Sequence, residues 1–264
     1  MKKIILLLFV ISGFNILFGQ ENKNLYQEKI DSIQKLLNAQ PQDDTVKVKR
    51  LNDIARICFF DLQFERGFIA TKDARQLAEK LHYKKGEGMY LRTMADLNNY
   101  SPLSLYYDQK AKWLYAGINE KEDILHLDIP YPDSAWIEKA KLRMYEAIKF
   151  YEKKQEKEAT AQMAYNIGLF NLWLNKPNEV VVYLEQSIKL FKEINQCAPA
   201  ALVLSLKMSS LEAIGKTKEA EESDSEANRI ISEINDIKEA AFLSFDMDKN
   251  YYSAGKKVWL LKKN

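Results

Sequence analysis

The sequence predicts an all-α fold, an α-solenoid of about four to five antiparallel helix pairs with one insertion in the second pair. Three observations carry that expectation. Glycine (9) and proline (6) are scarce in 264 residues, which suits long helices rather than many short strands. From Ala164 to Ile194, two segments with apolar residues at three- and four-residue steps flank the turn signal Asn175-Lys176-Pro177-Asn178. Small residues also return at fixed intervals. Ala74 to Ala95, Ala147 to Gly168 and Ser187 to Met208 are each 21 apart; Ala55 to Ala74, Gly168 to Ser187 and Met208 to Ala227 are each 19 apart, so the period is 40. No helix of such a pair buries its apolar stripe alone, so the pairs must stack.

Residues 1–20 have the layout of a secretory signal peptide, with basic Lys2 and Lys3, an apolar run from Ile4 to Phe18 and polar sequence from Gln20. The alternative is a retained signal anchor. The run is broken by Ser12, Gly13 and Asn15 and falls short of the ~20 residues that a spanning helix needs, which favours cleavage after Gly19 or Gln20. The expected mature chain is periplasmic or secreted, without a membrane span. Without Lys2 and Lys3 it holds 37 basic and 37 acidic residues. That balance, with no basic stripe, argues against a nucleic-acid partner.

The mature chain, 21–264, reads as a single solenoid. A leading cap occupies 21–43, its helix from Glu21 to Asn38 placing Ile30, Ile33, Leu36 and Leu37 on one side. Helices from Val46 to Phe60 and from Arg66 to Tyr83 form the first pair. Ala95 to Ala147 is 52 residues rather than 19, an excess of 33, which locates an insertion at 100–133 between the helices of the second pair, with its own helix near Leu103 to Gly117. The second pair resumes from Ser134 to Lys157. Counting on by 21 from Ala227 reaches Asp248, so Ile237 to Ala254 reads as the first helix of a fifth pair, and 237–264 as a terminal half-repeat or cap. Export permits a disulfide, but the register separates Cys58 and Cys197 by more than two pairs, beyond the ~7 Å bridging limit, so both are expected as small buried thiols.

These pairs resemble tetratricopeptide repeats. The resemblance rests on Leu51, Ile54, Ala55, Gly67 and Ala74 in the first pair, and on Leu91, Met94, Ala95, Ala140 and Ala147 in the second. It continues through Ile167, Gly168, Val180, Leu184 and Ser187, then Leu204, Leu211, Ala220 and Ala227. It implies a right-handed superhelix with a concave, partner-binding groove. The period departs from the usual 34, and Met208, Asp248 and Lys207 depart from the expected residue types. Together with LAEKLHYKKGEG (Leu77 to Gly88), the longer period is similar to the extracytoplasmic repeat regions of Bacteroidetes sensor kinases and regulators, in which a membrane helix and an output module follow.

The repeat register turns Asn52, Arg56, Arg92, Asp96, Asn99, Tyr165, Asn166, Ser205, Ser209 and Glu212 toward the groove, as candidate ligand-binding residues for an extended peptide; a solvated helix face is the plainer reading. Asn52 and Arg56 stand at the first two positions of the family's carboxylate clamp, so its Lys and Asn set is not reproduced. The insertion is rich in aromatics. Tyr106, Trp113 and Tyr131 are candidate partner contacts, against the simpler role of packing the inserted helix back onto the solenoid. His82 and His126 lack metal-ligand spacing, and neither a phosphate loop nor a nucleophile motif is present. The expectation is therefore a scaffold without catalytic residues, metal or cofactor that binds a protein or peptide in envelope sensing or complex assembly. The alternatives are a relic sensor domain without its output module, or an enzyme with a pocket between insertion and groove.

Overall fold

The structure, a computed structural model, describes residues 25–98, 102–115 and 134–243. The expected signal peptide, Asn99, Tyr131, His126, Asp248 and the end of the terminal cap lie outside the described residues. Within them the fold is all-α and solenoid-like, eleven helices packed in successive neighbouring pairs. They are α1 (25–39), α2 (Thr45–Phe60), α3 (Phe64–Lys80), α4 (Lys84–Leu97), α5 (Pro102–Tyr115) and α6 (Ser134–Lys153). Then follow α7 (Lys157–Trp173), α8 (Pro177–Glu193), α9 (Cys197–Ala213), α10 (Thr217–Ser232) and α11 (237–243). The inserted helix is α5, between α4 and α6 of the second pair.

One turn recurs at six of the helix junctions. Leu62, His82, Gln155, Asn175, Asn195 and Gly215 have φ between 51° and 78°, the left-handed region. In each case the next N–H reaches back five residues: Gln63 to Cys58, Tyr83 to Ala78, Glu156 to Tyr151, Lys176 to Asn171, Gln196 to Phe191 and Lys216 to Leu211, all at 2.8–3.0 Å. That is the Schellman closure, which occupies carbonyls that a helix end leaves open. The left-handed residues are 20 apart, except that His82 and Gln155 are separated by 73, or 40 plus the 33 inserted residues. Small residues meet neighbours closely inside this frame: Ala55, Ala74, Ala140 and Ala227 are fully buried, and a Cβ on Gly67 would lie 2.4 Å from the Phe59 ring.

The chain forms two compact units, whose boundaries fall between Thr93 and Met94 in α4 and between Gln109 and Lys110 in α5. In the first unit, α1 covers the open side of α2 through Ile30 and Leu37, against Ile54, Ile57 and Cys58. Leu36, expected on that face, is 48% exposed; one residue before Leu37 on a helix is about 100° away around the axis. Asp44 caps α2 by accepting from the Lys47 N–H at 2.8 Å. Lys80 and Lys47 hold the exposed Asp43 carboxyl down at about 2.

In the second unit, α6 packs on α7, α7 on α8, α8 on α9 and α9 on α10. The second helices of successive pairs also touch: the Tyr145 and Tyr183 rings are 5.6 Å apart, the Gln186 amide donates to Glu152, and Lys192 pairs with Glu226. Both cysteines are free. Cys58 is buried, and burial pushes its thiol up to about 12. Cys197 corrects the expectation: it is exposed, because it is the first residue of α9 and projects from the helix start.

Two measurements check this frame. Gly215→Ala, where a Cβ meets nothing within 4 Å, costs only backbone strain and lowers stability by about 1 kcal/mol. Gln155→Gly relieves about 1–2 kcal/mol of left-handed strain and frees the unfolded chain by about 0.4–1 kcal/mol, so it is neutral to modestly stabilising in urea melts. At pH 8 a thiol reagent modifies Cys197 promptly in the folded chain and Cys58 only after denaturation; fast modification of both thiols would contradict the burial of Cys58.

Candidate functional site

The second unit is organised on α7, and its burial is the first clue to a site. Every residue from Ala159 to Asn171 is buried, whereas a helix packed on one side keeps a polar stripe in water. Four neighbours account for this. Trp136 of α6 stands edge-on to Phe170 at 5.9 Å. Leu184 of α8 lies on Gly168, where a Cβ would come within 2.7 Å of it, and Ser187 donates to the Ala161 carbonyl at 2.9 Å. At the end of α4, Asn98 accepts from the Asn166 amide at 3.0 Å. The fourth neighbour is the inserted helix α5, whose Tyr107 phenol oxygen meets Gln162 Nε2 at 2.6 Å.

α5 carries a buried stripe of Leu103, Tyr106, Tyr107 and Ala111, at helical spacing. The Tyr106 and Tyr107 rings lie 5.3 Å apart. The Tyr106 hydroxyl donates to the Glu239 carboxylate on α11. Two consecutive tyrosines thus reach the first helices of the third and fifth pairs. Around this contact, Leu105 is 49% exposed and Ile237 is 84% exposed.

The residues expected in an open groove are placed differently. Tyr165 and Asn166 are fully enclosed, Ser205 is buried with its hydroxyl on the Ala201 carbonyl, and Asn52 and Arg56 are buried. Arg92, Asp96 and Ser209 are half-buried, and Glu212 is exposed. Asn52 and Asn166 link neighbouring first helices: Asn52 Oδ1 accepts from the Thr93 hydroxyl at 3.1 Å in the first unit, as Asn98 accepts from Asn166 in the second. Thr93 and Asn166 share a register position, two residues before Ala95 and Gly168, so the repeat could have disclosed these rungs. Tyr106 packs the inserted helix onto the unit; Trp113 is half-buried. Sequence reasoning missed Gln162 and Glu239, which have no common place in the 40-residue period.

Elsewhere, a cleft of about 370 Å³ is lined by Glu185, Lys189, Lys192, Lys207 and Glu226, with Ile188 and Leu204 beneath. Its charges are largely matched by the Lys207–Glu185 and Lys192–Glu226 pairs. Glu138 bridges Lys141 and Lys176, and the Lys176 contact holds its carboxyl below the usual range. Among the described residues, no group of three His, Cys, Asp or Glu side chains is placed to hold a metal, and no helix is long and apolar enough to cross a membrane.

No protein-family model matches the chain, and comparison with curated proteins returns no match. The site is therefore read from its own geometry.

The buried rungs give a direct test. Thr93→Val lowers stability by about 1–3 kcal/mol, since it leaves the buried Asn52 Oδ1 without this donor, whereas Asn52→Ala costs about 0.5–1.5 kcal/mol, since the Thr93 hydroxyl keeps the Met89 carbonyl at 3.0 Å. The double variant loses less than the sum, by roughly 0.5 kcal/mol or more, in a urea-denaturation cycle. Additive losses would show that the 3.1 Å contact is incidental.

Proposed function

We propose that this chain is an exported, non-enzymatic scaffold of the tetratricopeptide kind that holds a helical segment of a partner protein on the first-helix face of its second unit. Envelope sensing or complex assembly is the role that this reading supports. The observation that carries it is the seating of α5. A helix with an aromatic stripe rests on α7 and α11 through paired phenols, one on an amide and one on a carboxylate. Such a face has the recognition chemistry of a helix-in-groove site: apolar and aromatic anchors with a few oriented polar contacts. Leu105 on α5 and Ile237 on α11 are exposed apolar residues on the two elements of this contact. Export rests on the sequence layout of residues 1–20.

Two experiments test the reading. Expression with the native N-terminus in a Gram-negative host yields an extracytoplasmic species whose mass begins near Gln20 or Glu21; a full-length cytoplasmic product would overturn export. A photo-crosslinking amino acid at Ile237, beside the seat, gives a discrete partner adduct in cells of the native host, and the same residue at Leu142 on α6 does not. Equal adducts from both positions, or none from Ile237, count against the scaffold reading.

A further inference from the structure

α5 stands outside the frame that builds the repeat. The left-handed turns run Leu62, His82, Gln155 and onward in 20-residue steps once the insertion is set aside. The first helices on either side of the insertion are joined without α5, by the Asn98–Asn166 bond. The surface beneath α5 also includes polar groups. Gln162 is a polar residue in the middle of α7, and Glu239 is a carboxylate; both hydrate readily once the helix departs. The fit is incomplete as well. Gln162 Oε1 is enclosed and meets no hydrogen-bond donor among the described residues, and such an oxygen weakens the complex that leaves it so.

We propose that α5 is a resident occupant of the partner seat, displaced by an amphipathic helix of a second protein that presents an apolar residue and a tyrosine pair at the spacing of Leu103, Tyr106 and Tyr107. This rests on the scaffold reading and adds its regulation. While α5 is seated, the partner's apparent affinity is reduced by the fraction of time that the seat is open. The incoming helix recovers both phenol contacts and can add a donor for Gln162 Oε1, which supplies the differential binding that displacement requires. Leu105, exposed on α5, and Ile237, exposed on α11, are within reach of an arriving chain before exchange.

A labelled synthetic peptide spanning Pro102 to Tyr115 serves as the probe, titrated by fluorescence anisotropy against the full chain. The chain carrying Tyr106→Ala and Tyr107→Ala, which loosens α5 but leaves the seat intact, binds the peptide about tenfold more tightly than the unmodified chain does. A peptide with both tyrosines replaced by alanine binds neither. Leu103→Asp, a second way to unseat α5, reproduces the gain. Equal affinity for modified and unmodified chains overturns the proposal, and so does absence of binding to variants that keep a cooperative melt and full helical circular dichroism. Collapse of both variants also overturns it, because a removable occupant leaves the frame folded. Adducts from Ile237 that persist after any of these failures leave the scaffold reading standing, so the two ideas fail separately.

Discussion

A three-residue turn with its second residue left-handed fixes most of this molecule. Such a turn reverses the chain within a few ångströms, so the two helices that it joins must lie side by side and close. Helices of 16 or 17 residues, α3 and α7 to α10 among them, then come back at 20-residue intervals. Close approach requires small residues at the crossing points, and Ala55, Ala74, Gly168 and Ser187 fill that need. The strain of left-handed backbone at Leu62, His82 and Gln155, each without glycine's freedom, is the cost of keeping the frame regular. The closing N–H bonds and the burial on both sides offset it.

The same frame explains why the interior of each unit is polar at selected points. First helices of neighbouring pairs run side by side, and polar side chains meet across them. Asn52 with Thr93, and Asn166 with Asn98, are such meetings. A buried amide with a partner contributes about 1 kcal/mol, and one without costs more than that, so these bonds favour the register in which both are made. They fix which residue faces which along otherwise smooth apolar helices. α7 and α9 need this most, since each carries a long run of consecutively buried residues and little amphipathic pattern of its own.

Much of this was legible from residue spacing. Small residues 19 and 21 apart gave the 40-residue period, and the single interval of 52 gave the position and size of the insertion. The turn was half visible: Asn175, Asn195, Gly215 and, more weakly, His82 are residue types that tolerate left-handed backbone, whereas Leu62 and Gln155 carry no such signal. What no spacing could supply was the landing place of α5. Its partners Gln162 and Glu239 lie 55 and 133 residues along the chain from the tyrosines that meet them. Tyr165 and Asn166, which the register turns toward the groove, are buried, since the repeat register fixes direction while burial depends on what else arrives. Cys197 failed by position: a small apolar residue type says nothing of being first in a helix.

The polar character of the α5 contact bears on what the helix is for. A helix added only to stabilise would be expected to set aliphatic side chains on an aliphatic face, where burial alone contributes roughly 25 cal/mol per Å² and no hydrogen bond must be matched. α5 instead sets two phenols against an amide and a carboxylate. Each group must shed water to make the contact, so the net gain per contact is modest, while a misplaced helix loses all of it. Contacts of that kind select one orientation more than they add affinity. Orientation matters little for a packing helix and much for a recognition surface, which must accept one pattern of side chains and refuse others. On the proposed scaffold reading, the first-helix face of the second unit is a selective seat, and the insertion is the element that satisfies its selection.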